Sequence, residues 1–137
     1  MILFVDDEKR FMDSYKLELE LEGHPVSFHN DVDSALGFFK ENADSIRLII
    51  LDIMMPPGQS FQDENTSDGL RTGVRFYERI RGLAPRLPVI IFTNVSDEQL
   101  EKKFQGDINC RFLRKEDYLP HDLAEVVSKI NPPPRKT

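Results

Sequence analysis

A chain of 137 residues has room for one domain, and at this size folding buries roughly two-thirds of the unfolded chain's surface, so one core forms without disulfide or metal staples. Hydrophobic residues make up 39% and charged residues 31%, a globular balance, while 24 Asp and Glu against 18 Lys and Arg leave a net charge of −6, the wrong sign for sequence-independent binding of DNA or RNA. The single cysteine, Cys110, excludes an intrachain disulfide and reads as a small buried hydrophobe, and with neither a membrane-length apolar run nor a signal peptide the expectation is a cytoplasmic protein without membrane insertion.

Residues 2–5 form the first of four apolar runs, and Asp6-Asp7 follow it at once. A helix comes next: Phe11, Tyr15 and Leu19 recur at four-residue spacing with Met12 beside them, and Gly23 is placed to end it. Residues 25–28 make a weaker strand with only Val26 and Phe28 to bury. Asp31 or Asp33 can cap a second helix carrying Val32, Leu36 and Phe39. The second apolar run, 48–51, ends in Asp52.

Residues 57–67 then break the rhythm: a mostly polar loop of eleven residues stands where a strand-to-helix connection usually takes two to six. A lid, a partner contact and disordered filler all fit that composition. Beyond it, Leu70, Gly73, Val74, Tyr77 and Ile80 form a third helical stripe after Ser67-Asp68. The run 89–92 leads into Thr93. Ser96-Asp97-Glu98-Gln99 reads as a capping box opening a short fourth helix with little beyond Leu100 and Phe104 to bury, which implies low local stability. The last run, 111–113, leads into Lys115, and a fifth helix with Pro120 in its first turn carries Leu123, Val126, Val127 and Ile130. Residues 132–137 are proline-rich and predicted to be an extended, mobile tail to a domain spanning 1–131.

Runs apolar throughout are strands buried on both faces, and their alternation with helices predicts a five-stranded parallel sheet with helices on both sides. In such a sheet chemistry gathers at the carboxyl ends of the strands. Asp6, Asp7, Asp52, Thr93 and Lys115 all sit there, so three carboxylates, a hydroxyl and an ammonium converge on one rim. Adjacent carboxylates call for a cation, and oxygen ligands suit Mg²⁺. Asp52 is then a candidate nucleophile forming an acyl phosphate, Thr93 a donor to a phosphoryl oxygen and Lys115 a positive point charge. Plainer roles also fit: Asp6-Asp7 as a turn or helix cap, Lys115 in a solvated turn, Thr93 as an ordinary strand end.

Taken together, Ile2-Leu3-Phe4-Val5-Asp6-Asp7-Glu8, Leu51-Asp52-Ile53-Met54-Met55-Pro56, Asp68-Gly69, Val89-Ile90-Ile91-Phe92-Thr93 and Phe112 three residues before Lys115 resemble a CheY-like receiver domain of two-component signalling, over essentially the whole chain. The resemblance implies a flavodoxin-like fold and a phospho-accepting response regulator served by a histidine kinase or histidine phosphotransfer protein. It makes Asp52 the phospho-acceptor and has Asp6, Asp7, Asp52 and the Met54 backbone carbonyl hold Mg²⁺. Thr93 becomes the switch hydroxyl, Lys115 the phosphate-pairing cation, and Phe112 the switch aromatic, unless it is ordinary core. The output is expected through an unidentified protein target on the face of helix four, strand five and helix five, without direct nucleic-acid contact.

The sequence departs from the family in three places. Glu116 replaces the usual proline after the lysine, which predicts a trans or rebuilt turn. Asn94 stands where a small residue usually follows the threonine, and the 57–67 insertion lies beside the site. Met54 and Val95 hold the positions that tune hydrolysis, and neither can orient water, so slow autodephosphorylation is expected. The chain opens at strand one and ends soon after helix five, from which a single-domain regulator rather than an enzyme is expected. A phosphorylation-independent binding module is the alternative. A phosphohydrolase is disfavoured because Met54 takes the place of a second acid.

Overall fold

The computed structural model describes residues 1–67, 69 and 71–134. Five strands and five helices alternate: β1 (Ile2–Val5), α1 (Lys9–Leu21), β2 (Val26–His29), α2 (Val32–Asn42), β3 (Leu48–Leu51), α3 (Thr72–Leu83), β4 (Val89–Thr93), α4 (Glu98–Gln105), β5 (Cys110–Arg114) and α5 (Pro120–Ile130). Short 3₁₀ turns at Ala43–Ser45 and Lys115–Asp117 complete the order. The strands form one parallel sheet in the order β2-β1-β3-β4-β5.

Side chains alternate across a strand, and here both faces are covered. Ile2, Phe4, Leu48, Ile50, Ile90 and Phe92 meet Met12, Leu19, Leu123 and Val127 from α1 and α5. On the other face Leu3, Val5, Ile49, Leu51 and Ile91 meet Val32, Leu36 and Phe39 of α2, Val74, Phe76 and Ile80 of α3, and Leu100 and Phe104 of α4. That double burial is why β1, β3 and β4 read as unbroken apolar runs. β2 and β5 lie at the sheet edges and are only partly buried, and β2 accordingly alternates apolar with polar residues.

Local signals set most boundaries. Asp31, rather than Asp33, caps α2 by accepting from Ser34 N at 2.7 Å. Gly23, at φ +98°, ends α1 with Gly23 N donating to Glu20 O and His24 N to Leu19 O, a pattern that favours glycine's left-handed backbone. At α4 the cap is Asp97 and not Ser96: its Oδ1 accepts from Gln99 N at 2.9 Å and Leu100 N at 3.2 Å. Phe11 departs from the predicted α1 stripe. It is 70% exposed, because Met12 and Leu19 take the inward face. Cys110 is half-buried at the edge strand rather than fully enclosed. Of the predicted α3 stripe, Gly73, Val74, Tyr77 and Ile80 are buried, while Leu70, like Asp68 and residues 135–137, lies outside the described residues.

The insertion folds back onto α2 and α3. Asp33, freed from capping, accepts from Gln59 N at 3.0 Å and Ser60 N at 2.8 Å. Gly58 allows this approach, since a Cβ there would stand 2.4 Å from an Asp33 carboxylate oxygen. Phe61 is fully buried against Phe76, and the Arg79 guanidinium lies 4.4 Å over its ring while pairing with Glu64. Disordered filler is therefore excluded for these residues: the segment carries its own piece of core.

Truncating Phe61 to alanine empties that anchor and should cost about 3–5 kcal/mol. The exposed neighbouring change Gln62→Ala should stay within about 0.5 kcal/mol. Urea unfolding of the two variants checks the contrast.

Candidate functional site

The register of the sheet builds the site. Val5 pairs with Leu51, so the next residues, Asp6 and Asp52, emerge side by side from the ends of β1 and β3. Thr93 pairs with Arg114 at the ends of β4 and β5, which brings Lys115, one residue further on, over the same rim. Asp6, Asp52, Thr93 and Lys115 are all buried, at 0%, 4%, 0% and 8% exposure. Asp7, beside them, is exposed.

Lys115 Nζ lies 2.8 Å from Asp6 Oδ2 and 3.1 Å from Asp52 Oδ2. Asp6 Oδ1 accepts from Glu8 N at 2.9 Å and Asp52 Oδ1 from Ile53 N at 2.7 Å. Asp6 thus serves both readings of the Asp-Asp pair: one oxygen organises the turn into α1 and the other faces the cluster. Lys115 is no solvated turn residue. Thr93 Oγ1 accepts from Val95 N at 3.2 Å. The peptide after Lys115 belongs to a 3₁₀ turn, and no cis peptide occurs among the described residues, in line with Glu116 replacing proline.

Crowding shows in the electrostatics. Burial first, and then the Asp52 charge, push Asp6 up to about 6. The same two causes raise Asp7 above the ordinary carboxylate value. Burial alone lowers the Lys115 pKa, but the charges of Asp52 and Asp6 outweigh it and hold the ammonium above its usual value. One cation thus faces Asp6 and Asp52 with Asp7 alongside, a cluster short of positive charge.

Carboxylate oxygens of Asp6, Asp7 and Asp52 all lie within 4.8 Å of one another. Asp6 Oδ2 is buried and accepts no well-aligned hydrogen bond, having only the Lys115 ammonium beside it. An all-oxygen donor set with uncompensated charge fits a hard divalent cation. Met54, two residues after Asp52, is 45% exposed.

Sequence reasoning missed what surrounds this core. A cleft of about 420 Å³ opens beside Lys115, lined by Glu8, Phe11, Met12, Tyr15, Asn94 and Glu116. Asn94 is exposed into it, and Tyr15 is fixed by donating to Tyr118 O at 2.6 Å. Phe112 is half-buried and stacks on Phe104 at 5.9 Å, and Phe104 in turn meets Tyr77 edge-on at 5.0 Å. Phe112 is therefore neither pure core nor free.

A family model described as the response regulator receiver domain matches residues 2–117. Among solved structures, a response regulator receiver domain protein from Clostridium thermocellum is 26% identical with a TM-score of 0.75, covering 94% of this chain and 91% of that one. The receiver domain of NtrX from Brucella abortus is also 26% identical, with a TM-score of 0.72 and coverage of 95% and 97%. A CheY-like receiver domain protein from Methanospirillum hungatei is 22% identical, with a TM-score of 0.72 and coverage of 93% and 90%, and supports the fold alone. No curated protein matches the sequence.

The raised Asp6 pKa has a testable sign. Between the ordinary value near 4 and about 6 the folded chain binds a proton that the unfolded chain has lost, so metal-free stability falls as pH rises through that window. Asp6→Asn removes the penalty. In the presence of chelator it should be more stable than wild type above about pH 7, by on the order of 2 kcal/mol, with the gap closing near pH 4. Urea unfolding at the two ends of the range measures it.

Proposed function

This chain belongs to the response regulator receiver domain family of two-component systems, and from that premise we propose that it accepts a phosphoryl group on Asp52 and signals through protein contacts. The supporting observation is the buried Asp6–Lys115–Asp52 cluster at the ends of three strands. A carboxylate at the end of a buried run, held by its own Ile53 N–H and by a lysine, is oriented rather than merely tolerated.

In the proposed reaction an Asp52 oxygen attacks the phosphorus of a phosphohistidine or small phosphodonor. The new P–O bond makes an acyl phosphate as the bond to the donor breaks and the leaving group keeps the electron pair: the imidazole of phosphohistidine takes up a proton from water, and acetyl phosphate releases acetate. Asp6, Asp7 and Asp52, with the Met54 carbonyl, would hold Mg²⁺, which supplies charge neutralisation for the phosphoryl oxygens when bound. Lys115 offers a second positive charge on the same rim. Thr93, whose oxygen accepts from Val95 N, has its hydroxyl proton left to donate to a phosphoryl oxygen, and Phe112, stacked on Phe104, would follow a change at Thr93. The cleft beside Lys115, with exposed Phe11, gives the donor protein an apolar foothold next to Asp52.

No helix of the described residues is long and apolar enough to cross a membrane. A cytoplasmic setting is part of the proposed reading. Net negative charge speaks against direct nucleic-acid contact. The chain is not proposed to turn over substrate. Met54 and Val95 carry no group that could align a water on the acyl phosphate, so its lifetime should be long.

Incubation with Mg²⁺ and acetyl phosphate should add one phosphate to wild type and none to Asp52→Asn, read by mass spectrometry. Modification of both proteins, or of neither, rejects the proposal, the latter in favour of a phosphorylation-independent binding module. Once the donor is removed the adduct should persist for minutes or longer, and loss within seconds would show that water is activated after all.

A further inference from the structure

The insertion delivers a charged side chain to the far side of the site. Arg71 precedes α3, and its backbone N–H donates to Thr66 O at 2.8 Å, so the end of the insertion sets its place. Arg75 Nε reinforces this by donating to Asn65 O at 2.7 Å. From there the Arg71 guanidinium reaches Asp97 Oδ2 at 3.1 Å. Asp97 is the residue whose other oxygen starts α4. Four residues upstream Thr93 ends β4, its hydroxyl accepting from Val95 N. The connection between Thr93 and α4 is therefore fastened at both ends, near the reacting centre by Thr93 and at the helix by Arg71.

We propose that Arg71, fixed by the end of the insertion, is a positioning residue: through Asp97 it holds the β4–α4 connection in the arrangement described here and sets how readily Thr93 can engage a phosphoryl group on Asp52. The proposal rests on the phosphoryl-acceptor reading above. Thr93 Oγ1 accepts from Val95 N and keeps its own hydroxyl proton to donate, so drawing Thr93 toward a group on Asp52 pulls on Val95 and the residues that lead to α4. Asp97 moves with α4, to which two N–H bonds tie it, whereas Arg71 moves with α3 and the insertion. A shift of one relative to the other strains or breaks the ion pair. An interaction made in one state and lost in the other lowers the apparent affinity of any ligand selecting the second. The pair is partly exposed, at 43% and 28%, so its influence is that of a surface pair, about two- to fivefold.

The test uses the full chain with Arg71→Ala, Arg71→Lys, Asp97→Asn and the double variant Arg71→Ala/Asp97→Asn. Asparagine is as good a helix cap as aspartate, so Asp97→Asn removes the charge and keeps the helix start. Two readouts are needed: uptake of beryllofluoride, a tetrahedral phosphoryl mimic, with Mg²⁺ by fluorine NMR, and amide exchange of residues 95–100 without any ligand. Arg71→Ala and Asp97→Asn should each bind beryllofluoride about two- to fivefold more tightly than wild type, and the double variant no more tightly than either. Arg71→Lys should return the affinity to within about twofold of wild type, and exchange in 95–100 should quicken in Arg71→Ala. A merely structural role would lower thermal stability without tightening binding. Unchanged or weaker binding, additive effects, or unchanged exchange overturn the positioning role while leaving Asp52 as acceptor. No uptake by wild type overturns the acceptor reading and the proposal with it.

Discussion

Asp6 and Asp52 share one buried ammonium, and most of the structure around them is arranged to make that arrangement stand. Two carboxylates facing a single lysine, with Asp7 alongside, leave uncompensated negative charge out of bulk water. Such a cluster persists only because the sheet has nowhere else to put it. Val5 and Leu51 are paired, and their apolar runs are buried on both faces, so the residues that follow must emerge together. The two core layers thus hold in place a charge distribution that is unfavourable by itself. A divalent cation held there, as proposed, would bind the folded state in preference to the unfolded one and so add to folding stability.

A second consequence concerns α4, which buries only Leu100 and Phe104. Apolar contact is a thin basis for fixing an eight-residue helix, and the structure supplements it with polar ties at both ends. At the start, Asp97 caps the helix and pairs with Arg71. Just past the end, Asp107 accepts from Tyr77 and from Arg81 Nε at 2.8 Å, and Tyr77 meets Phe104 edge-on. Both ties run to α3 or the residue before it. α4 is therefore fastened to α3 at both ends, and Phe112 of the edge strand packs on the same unit through Phe104.

The fold was legible because continuous apolar runs and helical stripes are local signals, and the core of the site was legible because its residues follow those runs directly. What the sequence hid was nonlocal or angular. Phe11 kept the four-residue spacing of Tyr15 and Leu19, yet rotation of α1 gave the core to Met12 and put Phe11 at the cleft. Ser96 satisfied a capping pattern that Asp97, one residue later, satisfied better with a carboxylate accepting two N–H groups. The insertion read as a lid, a partner contact or disordered filler because its anchors lie far away in sequence: Asp33 precedes it by two dozen residues or more, and Phe76 and Arg79 follow it. Composition records the polarity of such a loop, not whether a distant carboxylate waits for its N–H groups.

Glu116 shows why some departures from a family pattern leave the site intact. If the turn after Lys115 positioned the ammonium, losing proline would displace it. Here the position is set from the other side, since Arg114 is in register with Thr93 and the next residue must rise over the rim. Two carboxylates then draw the ammonium inward, and a 3₁₀ turn absorbs the change of direction that follows. Glu116 is left at the surface, paired with Arg114. The lysine's reach is a property of the strand and the charges it meets, and the peptide bond after it is free to vary.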